Sequence, residues 1–319
     1  MRRAMTVLLV ILLIVILILA LCEFLIHFAL DRQAFWTLER ALYPPKRLKA
    51  EAEDPDVIWF LESSTEVCRQ SPDGLRLSAR LLPGDGSHRW VLAFHGYCNR
   101  PTAMSLYSRH FHAQGFTVLA PSARAHGDSE GRWIGMGWPE RLDAVDWTSW
   151  ILEQDPQAQI CLFGTSMGAA TVCTTAGEQL PAAVRCGISD SSFTSVWDEF
   201  LSQMERVFHI PMQPVLWLID RMAAPRTGWD FREASPEKQL QKARMPMLFL
   251  HGEKDRFVPY AMLDRVSAAC GSAVKEACGI PEAGHCRGVS VNPELYWSVV
   301  DGFLERVFSD GGPAERDVF

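Results

Sequence analysis

Gly164-Thr165-Ser166-Met167-Gly168 stands where an apolar run, QICLF, meets a helical pattern, AATVCTTAGEQL. A serine flanked by glycines at a strand-to-helix junction is the setting of a nucleophile elbow, because the two glycines permit the sharp, strained turn. A serine hydroxyl is a poor nucleophile until a base takes its proton, and the base needs a carboxylate to orient it. Both follow downstream in the order such sites use. Asp255 lies in GEKDRFVP after the apolar run MPMLFLHG, and His285 lies in AGHC ahead of the last helical stretch. Each would sit at the C-terminal end of a strand, where parallel sheets gather their active sites. Asp190, after VRCGIS, is the rival carboxylate one strand earlier.

Acyl chemistry at a serine also needs donors aimed at the developing oxyanion. The pair expected is the amide of Met167, directly after the serine, and that of Tyr97 in the loop Gly96-Tyr97-Cys98-Asn99 that follows the run RWVLAF. His95, at the start of that loop, reads as a brace. No metal is expected: His110 and His112 are two apart on a helical stretch, where side chains diverge, and there is no H-E-x-x-H. No cofactor motif is present either.

The elements that must position these residues are legible from hydrophobic patterning. LRLSARLL, RWVLAFHG, FTVLAPSA, QICLFGTS, VRCGISDS and MPMLFLHG read as strands, with helices around 101–114, 138–154, 167–179, 261–270 and 293–308. The near-continuous hydrophobicity of QICLF and MLFL predicts strands covered on both faces, hence an α/β fold with a mostly parallel central sheet and helices on each side. The stretch of about 193–241 breaks the rhythm with helical sequence rich in Trp and Met, and reads as an inserted lid. Trp133, Met136, Trp138, Trp197, Met204, Met212, Trp217 and Met222 fall in segments that would rise above the sheet, as candidates for an apolar acyl pocket or as packing.

The elbow, HGY, ARAHGDSEG, GEKDRFVP and AGH together resemble the α/β-hydrolase superfamily, across residues 95–285. Within it the chain looks like the bacterial membrane-anchored, serine-aminopeptidase-like and monoglyceride-lipase-like hydrolases. Arg124-Ala125-His126-Gly127-Asp128-Ser129-Glu130-Gly131 is similar to their R-G-H-G-x-S-x-G loop, with Ala125 where Gly is usual and Ser122 where Asp is common. The resemblance implies acyl transfer to water: Ser166 attacks, His285 shuttles the proton, Asp255 orients the imidazole, and the Tyr97 and Met167 amides hold the oxyanion. The expected activity is hydrolysis of a carboxylic ester or thioester with an apolar acyl group. The alternatives are a peptidase or acyltransferase with the same triad, or a non-catalytic binding protein on this scaffold.

Residues 4–22, AMTVLLVILLIVILILALC, carry no charge and are long enough to cross a bilayer. Residues 1–30 therefore read as a transmembrane signal anchor, 31–50 as a juxtamembrane helix ending near Pro44-Pro45, and 51–319 as the hydrolase domain, soluble and active once residues 1–30 are removed. Basic residues flank the span on both sides, with Arg2 and Arg3 before it and Arg32, Arg40, Lys46, Arg47 and Lys49 after it, so charge does not fix orientation; an extracytoplasmic domain is favoured. The net charge of −7 comes with no basic block, which excludes a nucleic-acid footprint. The partners expected are a small acyl or lipid-like substrate and the membrane; oligomeric state has no signature. Nine cysteines without a C-x-x-C pair read as mostly buried thiols.

Overall fold

The computed structural model describes residues 2–33 and 53–309. Among these, eight strands form one sheet: β1 (Thr65–Gln70), β2 (Arg76–Leu82), β3 (Arg89–Phe94), β4 (Thr117–Pro121), β5 (Gln159–Thr165), β6 (Val184–Asp190), β7 (Met247–Gly252) and β8 (Lys275–Ile280). Their order across the sheet is β1-β2-β4-β3-β5-β6-β7-β8. β2 runs antiparallel to both its neighbours, and every other pairing is parallel. This is the mostly parallel sheet expected from the sequence. The expected strands are all present, and the two that patterning missed, β1 and β8, are the edges. They are only partly buried, so they carry no continuous apolar run.

Alternation along β5 explains why its sequence reads as unbroken. Cys161 and Phe163 face one core, shared with Phe60 of α2 (Pro55–Ser63), Phe111 of α3 (Ser105–Ala113) and Tyr296 and Phe303 of α11 (Pro293–Phe308). Ile160 and Leu162 face the other, with Trp147 of α4 (Glu140–Gln154), Val172 of α5 (Met167–Thr175) and Val266 of α9 (Ala261–Ala269). A strand covered on both faces needs apolar residues at every position.

Between β6 and β7 the chain rises above the sheet as α6 (Val196–Phe208), α7 (Gln213–Thr227) and the short α8 (Pro236–Leu240). α6 begins at an N-cap, with Ser195 Oγ accepting the Asp198 amide, and ends with His209 in the left-handed region at φ 57°. α6 and α7 share a third apolar cluster with Phe193, Trp229 and Phe231, whereas Leu240 of α8 packs in the second core.

The first helix, α1 (Arg2–Leu30), contributes to the same cluster. Through Leu21 its side chains are exposed, whereas Cys22, Ile26 and Leu30, spaced four apart on one face, are fully buried against α7 and the loop before α4. The helix end is also tied by polar contacts. The Leu30 carbonyl accepts the Ile134 amide at 2.8 Å, the Arg32 amide donates to the Arg132 carbonyl at 2.9 Å, and the Arg32 guanidinium donates to the carbonyls of Ser129 and Gly127. Asp31, buried, accepts from Arg132 and pairs with His27, and Glu23 pairs with Arg226 at 2.8 Å. The domain boundary expected after residue 30 therefore falls inside a packed segment, because the apolar spacing that crosses a bilayer continues into one that packs on protein. Most of the expected juxtamembrane helix, residues 34–50, lies outside the described residues.

Fully burying an aliphatic side chain contributes about 1.5–3 kcal/mol, and α1 supplies both Ile26 and Leu30. Deleting residues 1–18 should leave the melting temperature of the domain nearly unchanged, whereas deleting 1–33 should lower it by several degrees and promote aggregation. Calorimetry and light scattering on the two truncations check this.

Candidate active site

The site is built at the C-terminal ends of β3, β5, β7 and β8. Ser166 follows β5 directly and has φ 56° and ψ −118°, a left-handed backbone that residues with a Cβ avoid. Two glycines make room for it: a Cβ on Gly164 would lie 2.2 Å from the Gly168 carbonyl oxygen, and one on Gly168 would lie 2.1 Å from that of Phe94. The Ser166 amide donates to the Asp190 carbonyl at 2.8 Å, fastening the turn to β6.

The structure brings Ser166, His285 and Asp255 together. His285 Nδ1 lies 2.7 Å from Asp255 Oδ2 and its Nε2 lies 2.8 Å from Ser166 Oγ. An ionised carboxylate can only accept, so Nδ1 carries the proton and Nε2 is left to accept from the serine hydroxyl. Asp255 is held from three further directions. Its Oδ1 accepts the amides of Phe257 and Val258 at 2.8 and 3.0 Å, and His251 Nε2 stands 3.3 Å from Oδ2 while donating to the Val258 carbonyl. Burial alone would raise the Asp255 pKa, but the hydrogen bonds from His251 and His285 and their charges outweigh it and hold the group at about 2. Phe257 packs on the His285 ring, centroids 4.9 Å apart.

Asp190 is not brought to the imidazole. Its carboxylate accepts from Ser191 Oγ and from Tyr296 Oη, both at 2.9 Å, and its contribution to the site is the carbonyl under the elbow.

Tyr97 and Met167, the residues read as oxyanion donors, line the same cavity as Ser166. Met167 is the first residue of α5, at the positive end of the helix dipole. Gly96 lies so close that a Cβ there would be 3.3 Å from that of Ser166. The loop is braced by two buried histidines. His95 Nδ1 donates to the Gly96 carbonyl while its Nε2 accepts the Ala123 amide, and His126 Nε2 accepts the Cys98 amide while its Nδ1 donates to the Arg124 carbonyl. Burial pushes His95 down to about 4 and, with His95 nearby, His126 down to about 3, so both rings stay neutral and each can donate on one side and accept on the other. Ala125, between them, sits at φ 61°, the conformation for which glycine is better suited. His110 and His112 do part: His110 bonds Asp301 and stacks on Trp297, and His112 packs by Trp59.

Above Ser166 lies a cavity of about 490 Å³, within the size range of small-molecule sites. Its walls come from α1, α6, α7 and the loops holding Phe193, Phe231 and Phe257. Of the eight Trp and Met residues singled out above, Met136 and Met204 line it. Trp138 and Trp197 instead lie under the guanidinium groups of Arg141 and Arg232, each at 3.7 Å, and Trp217 is exposed. Two contributors escaped the sequence reading. One is α1, whose apolar spacing beyond Glu23 was the available signal. The other is Glu199 on α6, which lines the cavity while buried, with Oε1 accepting from Gln203 at 2.8 Å and Oε2 without a partner among the described residues. Burial, with some help from the Asp255 charge, pushes Glu199 up to about 8 against the pull of Gln203.

Comparison with known proteins agrees with this architecture. The family model described as X-Pro dipeptidyl-peptidase (S15 family) matches residues 73–228, just under half of the chain. YqkD of Bacillus subtilis is 26% identical over 219 residues, covering 68% of this chain and 71% of that one. Among solved structures, the esterase Pf2001 of Pyrococcus furiosus is 24% identical with a TM-score of 0.63, over 80% of this chain and 96% of that one. The acylaminoacyl peptidase of Pyrococcus horikoshii is 14% identical with a TM-score of 0.58, over 82% of this chain and 45% of that one. The chain has the α/β-hydrolase fold.

Asp255→Asn should lower kcat on a simple ester by roughly ten-thousand-fold through loss of the correct tautomer, with Asp190→Asn costing far less; steady-state kinetics on both variants decide it. Glu199 has a folded pKa above its unfolded one, so its stabilising contribution is complete below about pH 4.5 and is lost as pH rises towards about 8. The melting temperature of Glu199→Gln relative to the parent should therefore climb across that window, as thermal melts at pH 4.5, 6 and 8 would show.

Proposed function

We propose that the protein is a serine hydrolase that cleaves a carboxylic ester or thioester of an apolar acid through an acyl-enzyme on Ser166. The observation that carries this reading is the relay from Ser166 Oγ through His285 to Asp255, opening into an apolar cavity. His285 Nε2 takes the serine proton as Oγ attacks the acyl carbon, and Asp255 stabilises the imidazolium that forms. The amides of Tyr97 and Met167 bind the oxyanion, the imidazolium returns its proton to the leaving oxygen or sulfur, and water repeats the cycle to release the acid. Ester cleavage is favoured over removal of an amino-terminal residue, because binding a substrate ammonium calls for an ionised carboxylate. The carboxyl lining this cavity, Glu199, is held neutral up to about pH 8. α1 is the anchor in this reading: the uncharged run from Ala4 to Leu21 spans about 27 Å at 1.5 Å per residue, close to the ~30 Å thickness of a hydrocarbon core.

A fluorophosphonate probe should label the purified protein and not the Ser166→Ala variant. Turnover of p-nitrophenyl esters from acetate to palmitate should rise with chain length to an optimum. Ser166-independent labelling, or a protein that is folded but unlabelled, would overturn the reading.

A further inference from the structure

α1 is one unbroken helix, and its membrane-length half runs into its cavity-lining half without a linker. Leu21 ends the exposed run and Cys22 is already buried in the domain. Phe24 and Phe28 follow at about 5 and 11 Å beyond Leu21 along the helix axis. The interfacial zone of a bilayer is about 5–8 Å thick on each face, so Phe24 stands within it and Phe28 about 3 Å beyond it, its side chain tilted back toward the helix N-terminus, when the span occupies the hydrocarbon core.

Both rings line the cavity and both are exposed, at 60% and 42%. At the α6 end of the cavity, Val207 and Phe208 also line it and are likewise exposed, at 64% and 40%, and Ile210 just beyond is exposed too. Single apolar side chains on a surface are ordinary. Phe24 and Phe28, within about two helical turns of a membrane-length segment, and Val207 and Phe208 on the same apolar cavity together mark a membrane-facing mouth. The rest of α1 forms the inner wall, through Leu25, Ile26, Ala29 and Leu30, and Tyr97 on the oxyanion loop fastens that wall by donating its hydroxyl to the Ala29 carbonyl at 2.8 Å.

We infer that the anchor helix is itself one wall of the acyl site, and that the substrate is a bilayer-resident fatty-acyl ester whose chain passes directly from the membrane into the cavity between α1 and the end of α6. This rests on the serine-hydrolase reading above and adds the substrate's physical state and its route. A chain that never leaves apolar surroundings avoids the cost of exposure to water.

The test uses the full-length protein in phosphatidylcholine nanodiscs with 4-methylumbelliferyl esters of increasing length, butyrate as the soluble member and palmitate as the bilayer-embedded one. Ala29→Phe narrows the inner wall and should move the chain-length optimum several carbons shorter. The pair Phe24→Ser and Phe28→Ser should reduce palmitate turnover at least tenfold more than butyrate turnover, with Phe28→Leu restoring much of it. Thermal melts establish that each variant is folded. An unshifted optimum in folded Ala29→Phe, or equal losses on both esters in the mouth variants, would overturn the proposal. A parent protein that takes the probe at Ser166 and cleaves butyrate but not palmitate would overturn the lipid substrate alone. Absence of probe labelling would overturn the serine-hydrolase reading and this one with it.

Discussion

Ser166 is held in a left-handed backbone, and the centre of the molecule is arranged to hold it there. Such a conformation costs on the order of 1–3 kcal/mol and persists only when its surroundings over-determine it. Here β5 delivers the residue from the middle of the sheet, Gly168 lets α5 leave at once against the Phe94 carbonyl, and the Asp190 carbonyl catches the Ser166 amide. The turn raises Oγ above the sheet edge, where neither strand nor helix buries it. The parallel register of β3, β5, β6 and β7 then sets which loops arrive around it.

The polar part of the site depends on fixing protonation states by burial. Asp255 stays ionised because two amides and two imidazoles replace the water it loses. His95 and His126 stay neutral because burial outweighs the backbone hydrogen bonds that favour their charged forms, and neutrality lets each ring bridge one backbone donor and one acceptor. His285 differs from them in being partly open and in facing both a carboxylate and a hydroxyl. One residue type thus braces a loop in one place and links a serine to a carboxylate in another.

The apolar part follows from covering the sheet's C-terminal edge. The helices between β6 and β7 bury Phe193, Trp229 and Phe231 beneath them, yet leave a gap that they do not close alone. α1 covers one side of it, held by Cys22, Ile26 and Leu30 on its inner face and by Asp31 and Arg32 at its end. A helix long and apolar enough to cross a membrane consequently also completes the cavity.

Much of this was legible from sequence, for a physical reason: doubly covered strands must be apolar throughout, so β3, β5, β6 and β7 announced themselves, and the turn chemistry around Ser166 tolerates few residues besides glycine. The edge strands β1 and β8, half in solvent, left no such trace. The order of Ser166, Asp255 and His285 along the chain suggested the relay, with Asp190 as the rival carboxylate one strand earlier. Only the tertiary structure separates the two carboxylates, since a hydrogen bond of 2.7 Å depends on which loop folds over the imidazole. Likewise the sequence by itself determined that residues 4–22 suit a bilayer, because composition and length decide that. It did not determine that the next turns of the same helix would wall a cavity or that Glu199 would be buried beside it, because those depend on which surfaces distant segments present to one another.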